Sequence, residues 1–212
     1  LRYRLPSDRW TLFFRTGHDV VMAQAKLKKP PVVENAPIVA PTVLKLDLGC
    51  GPNKREGFTG VDAMQFDGKV DIVCDLTQKW PWDDASVTEV HASHFVEHLT
   101  ATERIHFCNE LYRVLIVGAK CTLITPHWDS CRAYGDLTHQ WPPVSEFWFY
   151  YLSKGWRANN APHNDGYNCD FACTWGYNMR PDLAVRNQEF QQFAFANYKE
   201  SIQDLIATLV KL

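Results

Sequence analysis

The sequence predicts an α/β protein built on an open, mostly parallel, doubly wound sheet, and three observations carry that expectation. Short apolar, β-capable segments follow one another at about 43–49, 58–62, 69–74 and 87–93, the pattern of buried strands separated by loops. The first of them, Leu44-Lys45-Leu46-Asp47-Leu48, runs directly into Gly49-Cys50-Gly51-Pro52-Asn53. Two glycines one residue apart suit a strand emptying into a tight turn where backbone must approach a ligand. Further on, Thr100-Ala101-Thr102-Glu103 has the form of a capping box. Ile105, Cys108, Leu111, Tyr112 and Leu115 then recur at helical spacing before Gly118, and a strand follows at 119–126. Such a strand-helix-strand unit imposes parallel pairing, and an open sheet of these units collects its ligand at the carboxyl edge of the strands.

The remaining elements are assigned in chain order. Residues 1–42 form an appendage ahead of a core domain at 43–212. From Trp10 to Lys28 the apolar positions Leu12, Phe13, Val20, Val21, Ala23, Ala25 and Leu27 make a patchy helical pattern, and Pro30, Pro31, Pro37 and Pro41 make an extended connector. Either the appendage covers the ligand cleft or it packs on the outside. Only the 10 residues 52–61 separate Gly51 from Asp62, too few for a loop, a helix of about 11 residues and a strand. The first crossover helix is therefore expected to be short or missing. Trp80-Pro81-Trp82-Asp83-Asp84 is loop by its proline and acids. Residues 127–168 are dense in aromatics and histidine and read as an insert after the fifth strand. Phe171–Tyr177 reads as a sixth strand, about 187–200 as a helix, and Ile202–Leu212 as a seventh strand or as an extension of that helix.

Composition bounds the function. At 212 residues, 46% hydrophobic and 22% charged, the chain is expected to be soluble and globular with one main domain. Its net charge of −2 does not suit a general nucleic-acid binder, which needs a basic stripe for phosphates. Residues 1–29 are a local exception, with seven basic residues against Asp8 and Asp19, read as a solvated face or as contact for an anionic partner. Seven cysteines without a C-x-x-C pair fit reduced thiols and a cytoplasmic setting. His163, Cys169 and Cys173 match no common zinc spacing, so no metal site is assigned. No run reaches the roughly 18 apolar residues of a membrane span, and no signal peptide is recognisable. The chain starts at Leu1, which leaves open what precedes it.

The chemistry lies at the strand ends. Asp62 closes Phe58-Thr59-Gly60-Val61, and an acid there accepts hydrogen bonds from both hydroxyls of a ribose. Asp75 closes Val70-Asp71-Ile72-Val73-Cys74 and is placed to receive an adenine amino group. Ser93-His94-Phe95-Val96-Glu97-His98 closes the fourth strand. As an ordered set these residues resemble the class I S-adenosylmethionine (SAM)-dependent methyltransferases over about residues 43–126. The dinucleotide fingerprint G-x-G-x-x-G is absent, which argues against NAD. SAM has no phosphate that needs a helix dipole, so a short first crossover is compatible with it.

The resemblance implies a seven-strand sheet with an antiparallel strand near the C-terminus. It also implies SAM contacts at Asp47, Gly49, Cys50, Gly51, Asn53, Asp62, Ala63, Asp75, Leu76, Ser93 and His94, and substrate contacts in the insert. Within the insert, Asp136-Leu137-Thr138-His139 resembles a D-x-T-H element of a branch with small-molecule and sugar substrates. The expected acceptor is therefore a small molecule or glycan, and the absence of a D/N-P-P-Y/F element disfavours nucleobase amines. For an oxygen acceptor a histidine is the natural base. Among His94, His127 and His139, the catalytic assignment falls on His139 in the lid and on His94 beside the expected methyl group. Two alternatives stay open: a protein or nucleic-acid methyltransferase docking through the basic N-terminal segment, and a catalytically inactive scaffold subunit. Oligomeric state is not legible in the sequence.

Overall fold

A computed structural model describes residues 43–212 throughout and, before them, two strands, β1 (Leu12–Thr16) and β2 (Asp19–Ala23). The chain divides into two units, Leu1–Pro41 and Thr42–Leu212. In the first, β1 and β2 pair antiparallel from Leu12↔Ala23 to Thr16↔Asp19, which corrects the helical pattern expected over 10–28. Leu12-Phe13-Phe14 and Val20-Val21-Met22 are rich in aromatic and β-branched side chains that favour strands. The Pro-rich connector and the expected cover over the cleft lie outside the described residues.

The second unit is organised by a seven-stranded sheet. Its strands are β3 (Lys45–Leu48), β4 (Thr59–Asp62), β5 (Ile72–Val73), β6 (Val87–Ser93), β7 (Leu115–Pro126), β8 (Phe171–Met179) and β9 (Ile202–Lys211), in the order β5-β4-β3-β6-β7-β9-β8. Strands β3 to β7 are parallel, and β9 runs antiparallel between β7 and β8. The chain steps outwards from β3 to β5 and then returns to the other side of β3 as β6. The strand order therefore reverses between β3 and β6, where an open α/β sheet forms its ligand crevice. Leu46 and Leu48 of β3, Val61 of β4 and Leu123 of β7 are wholly buried, as expected for strands covered on both faces.

Helix α1 (Ala101–Val114) connects β6 to β7. Its capping box is complete, because the Glu103 carboxylate accepts the Thr100 N–H and the Thr100 hydroxyl accepts the Glu103 N–H. The helix ends at Val114, earlier than Gly118. Leu115 already pairs with Val87, and the register shifts before Glu89↔Lys120. Gly118, at φ 80°, thus serves an irregularity in β7 and not a helix stop. The ambiguous segment after 201 is strand throughout.

The first crossover, 52–58, contains turns and no helix, and neither do 63–71 and 74–86. The third strand is correspondingly reduced to Ile72–Val73 from the expected 69–74. Trp80 shows what replaces the helix that usually covers this side. Its ring is 1% exposed and packs edge-on against Phe107 of α1 and Trp82. The Trp80 N–H donates to Glu110 Oε2 (2.8 Å) and its indole N–H to the Leu76 carbonyl (3.0 Å). Arg113 bonds the same Glu110 carboxylate and the Trp80 and Trp82 carbonyls. One acid-base pair on α1 therefore fastens the loop that stands in for an absent helix. Glu110→Ala strands the Trp80 N–H and leaves Arg113 with exposed Asp84 as its acid partner. It is expected to cost about 2–4 kcal/mol in urea denaturation, whereas a cost under about 0.5 kcal/mol contradicts this account of the loop.

Candidate functional site

The glycine turn hangs on Asp47, the penultimate residue of β3. This carboxylate is 3% exposed, and each oxygen has a partner inside the protein: Oδ1 takes His91 Nδ1 of β6 at 2.7 Å, and Oδ2 accepts the Arg55 N–H at 2.7 Å. Its role in the site is thus to hold the turn's far end. The Gly49 and Cys50 N–H groups both donate to the Val61 carbonyl. Gly49 sits at φ 67°, and a Cβ there would collide with the Phe95 ring. Gly51 sits at φ 51°, but nothing lies within 4 Å of the position its Cβ would take. One glycine is required by a packed neighbour, while the other borders open space. The Cys50 thiol lies beneath the turn, where burial, then Asp47 and Asp62, push its pKa up to about 11. It is a neutral packing group. Asn53 is exposed, and its N–H closes the turn on the Cys50 carbonyl.

The next two strand ends present carboxylates to solvent. Asp62 accepts the Gly51 N–H on Oδ2 (2.9 Å) and the Met64 N–H on Oδ1 (3.0 Å), tying the glycine turn to the turn through Ala63. Each oxygen keeps a further lone-pair site for a hydroxyl. Asp75 accepts the Thr77 hydroxyl and N–H on Oδ1, and those bonds hold its pKa below the usual carboxylate value. Leu76 contributes only backbone here, since its side chain is in the core.

Beyond β6 a denser polar cluster begins. Ser93 ends the strand, and His94 follows in the left-handed region at φ 53°. His94 Nδ1 lies 3.2 Å from Glu97 Oε1 and its Nε2 lies 4.0 Å from Asp204 Oδ1. The Glu97 hydrogen bond raises its pKa against the opposing effect of burial, which weakens it as a proton acceptor near neutrality. Glu97 is buried and also accepts the Thr125 hydroxyl. Asp204 of β9 is buried too and takes Arg132 and Asn178. The sequence assigns no role to Glu97 within Ser93–His98, and none to Asp204, Arg132 or Thr125. The available signal for Asp204 was an acid inside the otherwise apolar run Ile202–Val210.

The insert contributes α2 (Arg132–Gly135), α3 (Glu146–Tyr150) and α4 (Lys154–Asn160). Its D-x-T-H element lies against the 3-10 turn Val96–His98. The Thr138 hydroxyl meets His98 Nδ1 at 2.9 Å, the Gln140 N–H donates to the Glu97 carbonyl, and the His98 and His139 rings lie 4.7 Å apart. Buried Arg104 of α1 fixes this contact, donating to the Val96, Glu97, Gln140 and Pro142 carbonyls. His127 belongs elsewhere. Its Nδ1 accepts the Asp129 N–H, so the proton is on Nε2, which donates to Glu146 Oε1 at 3.1 Å. It is 3% exposed and so is removed from the candidate bases.

Cys169 and Cys173 are separately packed thiols with pKa values pushed up to about 11 and about 12, mainly by burial, and His163 is exposed. A cleft of about 380 Å³ lies between α1 and the insert, bordered by Arg104, Ile105, Phe147, Trp148, Tyr151 and Tyr167. No residue lining it comes from the ends of β3, β4, β5 or β6.

No protein-family model matches the sequence, and no curated protein matches it. Solved structures do match in fold. A SAM-dependent methyltransferase from Archaeoglobus fulgidus superimposes with a TM-score of 0.59 at 19% identity, over 80% of this chain and 86% of that one. Geranyl diphosphate C-methyltransferase from Streptomyces coelicolor A3(2) gives 0.50 at 16% identity, over 81% and 73%. The likeness is one of architecture: this chain has the class I methyltransferase-like α/β fold.

Two measurements check the local account. Gly51→Ala meets only left-handed strain and is expected to cost about 1 kcal/mol, whereas Gly49→Ala adds the collision with Phe95 and is expected to cost about 3 kcal/mol or more; equal costs in denaturant melts refute the distinction. For Glu146, burial is the largest single effect and acts to raise the pKa, but the hydrogen bonds from His127, the Glu146 backbone and Tyr177 together outweigh it and lower the pKa from 4.5 to about 2. A depressed folded-state pKa stabilises above the unfolded value, and that increment is lost as pH falls from about 4.5 to about 2. Glu146→Gln is therefore expected to cost about 1–3 kcal/mol at pH 7 and to converge with wild type near pH 2, as read by melts across that range.

Proposed function

We propose that this chain transfers the methyl group of SAM to a small-molecule or glycan-like acceptor. One observation carries the reading: the Gly49–Gly51 turn and the Asp62 carboxylate meet at the switch point of the sheet, joined by the Gly51 N–H bond, with open space above Gly51. The methionine part of SAM fits over a turn that has no side chains in its way. The ribose hydroxyls fit the remaining lone pairs of Asp62, and the adenine amino group fits Asp75. Ser93 and His94 then border the sulfonium. Asp47 and Cys50 act from beneath, as supports of the turn.

The transfer is an in-line displacement in which the methyl carbon–sulfur bond breaks as a bond to the acceptor forms. S-adenosylhomocysteine leaves, and an acceptor hydroxyl gives up its proton to His139, whose Nε2 has no hydrogen-bond partner among the described residues. Alignment accounts for most of what the protein must do. On the acceptor side the proposed groups are His94 and His139, which the insert brings to the turn after β6. A small acceptor suits an insert that is fastened to the sheet edge through Arg132–Asp204 and Thr138–His98. The geranyl diphosphate enzyme of the same fold acts on a molecule of that size class. No helix among the described residues is long and apolar enough to cross a membrane. The reading in which residues 1–29 dock a protein or nucleic acid concerns basic side chains outside the described set.

Calorimetry with SAM and S-adenosylhomocysteine tests the proposal. Wild type is expected to bind both, and Asp62→Ala to bind at least about 30-fold more weakly, a loss of about 2 kcal/mol for two hydroxyl contacts to a charged acceptor. Failure of wild type to bind either ligand, or wild-type affinity in Asp62→Ala, rejects it.

A further inference from the structure

We propose that Glu97, His98 and His139 form a binding site for a first-row divalent transition metal of the zinc type, at the junction of the turn after β6 and the insert. One donor atom from each of the three lies within 4.8 Å of the others. Two imidazoles and one carboxylate are the donors of open zinc and related sites, whereas magnesium and calcium prefer oxygen alone. Metal–ligand bonds of about 2.0–2.2 Å need tetrahedral donors about 3.4 Å apart, a closure within the reach of side-chain rotation.

Proton counting shows that both imidazoles are prepared for a metal. The Thr138 hydroxyl donates its only proton to Asp136 Oδ1 at 2.7 Å. At its 2.9 Å contact with His98 Nδ1 it must therefore accept, so the His98 proton is on Nδ1 and the Nε2 lone pair is available. His139 Nδ1 lies 3.3 Å from the Ala133 carbonyl, which can only accept, so His139 also carries its proton on Nδ1. Its Nε2 has Asp136 Oδ2 at 4.0 Å, beyond hydrogen-bond reach. Among the described residues neither Nε2 has a hydrogen-bond partner. Histidine ligands in metal sites are held in this way, with the second nitrogen donating to a carbonyl or to a group backed by a carboxylate.

Glu97 is oriented by the Thr125 hydroxyl and by His94, one on each oxygen, and each oxygen keeps a lone-pair site. Arg104 makes the juxtaposition rigid, since it binds the carbonyls on both sides of it. Three protein donors leave a coordination position open, and exposed His98 places that position in reach of solvent. On the methyltransferase reading proposed above, the open position would take an oxygen of the acceptor, and a bound metal would lower the pKa of that hydroxyl in place of the base role given there to His139. The metal site itself does not depend on that reading.

The test uses the full chain, stripped with a chelator and titrated with Zn²⁺ or Co²⁺ in the absence of SAM, so its outcome is independent of cofactor binding. One equivalent is expected to bind, and the Co²⁺ form is expected to show ligand-field bands without a thiolate charge-transfer band. His98→Ala and His139→Ala should each weaken binding about 100-fold or more. Thr138→Val, at an exposed position that threatens no core, should weaken it about 10-fold. If the histidine variants do not fold, the Co²⁺ spectrum and Thr138→Val decide. No binding by wild type, unchanged affinity in folded variants, unchanged affinity in Thr138→Val, or a thiolate band overturns the proposal.

Discussion

The Asp47 carboxylate is the tie on which the site depends. It is buried where the turn after β3 leaves the ladder that pairs β3 with β6, and it ties that turn back to the neighbouring strand. A buried anion is tolerable only when hydrogen bonds replace its water, and Asp47 receives two, from His91 Nδ1 and the Arg55 N–H. The same device recurs wherever a crossover lacks a helix. Asp62 takes the Gly51 and Met64 N–H groups, Asp71 takes the Gly60 N–H together with Lys54, Asp75 takes the Thr77 N–H, and Glu110 takes the Trp80 N–H. A helix satisfies its own backbone. A stripped crossover must find acceptors elsewhere, and here side-chain carboxylates supply them through the stronger, charge-assisted kind of bond.

This explains which parts of the fold were legible in the sequence. The largely buried strands β3, β4 and β6 declared themselves as apolar runs with a polar end, and α1 as a capping box with helical spacing. The missing first crossover helix followed from counting residues between Gly51 and Asp62. What counting did not reveal was that the next two crossovers are helix-free as well. Their length permits helices, and the decisive partner of 74–86 is the pair Glu110 and Arg113, distant in the chain. The N-terminal strands were misread because their apolar triplets lie on spacings that a helix also uses. The stop at Val114 was missed because Gly118, a usual helix terminator, serves a register shift in β7 instead.

The site divided in the same way. Gly49, Gly51, Asp62 and Asp75 were legible because they sit at strand ends and their chemistry is local. Asp47 was legible as a position, but its hydrogen bonds place it beneath the turn. Asp204 and Arg132, 72 residues apart in sequence, were not legible, because nothing in either segment names the other. The histidines show the limit most clearly. His94, His127 and His139 were all candidates, with His139 and His94 preferred, and their partners separate them further: a carboxylate that raises the pKa of the first, an N–H and a carboxylate that lock the second, and a carbonyl that leaves the third with a free nitrogen.

The two halves of the crevice are therefore built on different physical terms. On the β3 to β5 side Asp47 is buried as a support, while half-buried Asp62, exposed Asp75 and the bare backbone at Gly51 keep free the groups a nucleoside needs. On the β6 to β9 side, three buried charges are each held by partners, Glu97 by exposed His94 and buried Thr125, Asp204 by exposed Arg132 and by Asn178, and Arg104 by four carbonyls. Breaking such a network leaves a charge without a partner in low dielectric, so it resists rearrangement more than hydrogen bonds at the surface do. The insert is anchored to this rigid side. Its D-x-T-H element is thus held against the turn after β6 by buried electrostatics, and the position of His139 relative to His98 and Glu97 follows from Arg104 and Thr138 before any ligand arrives.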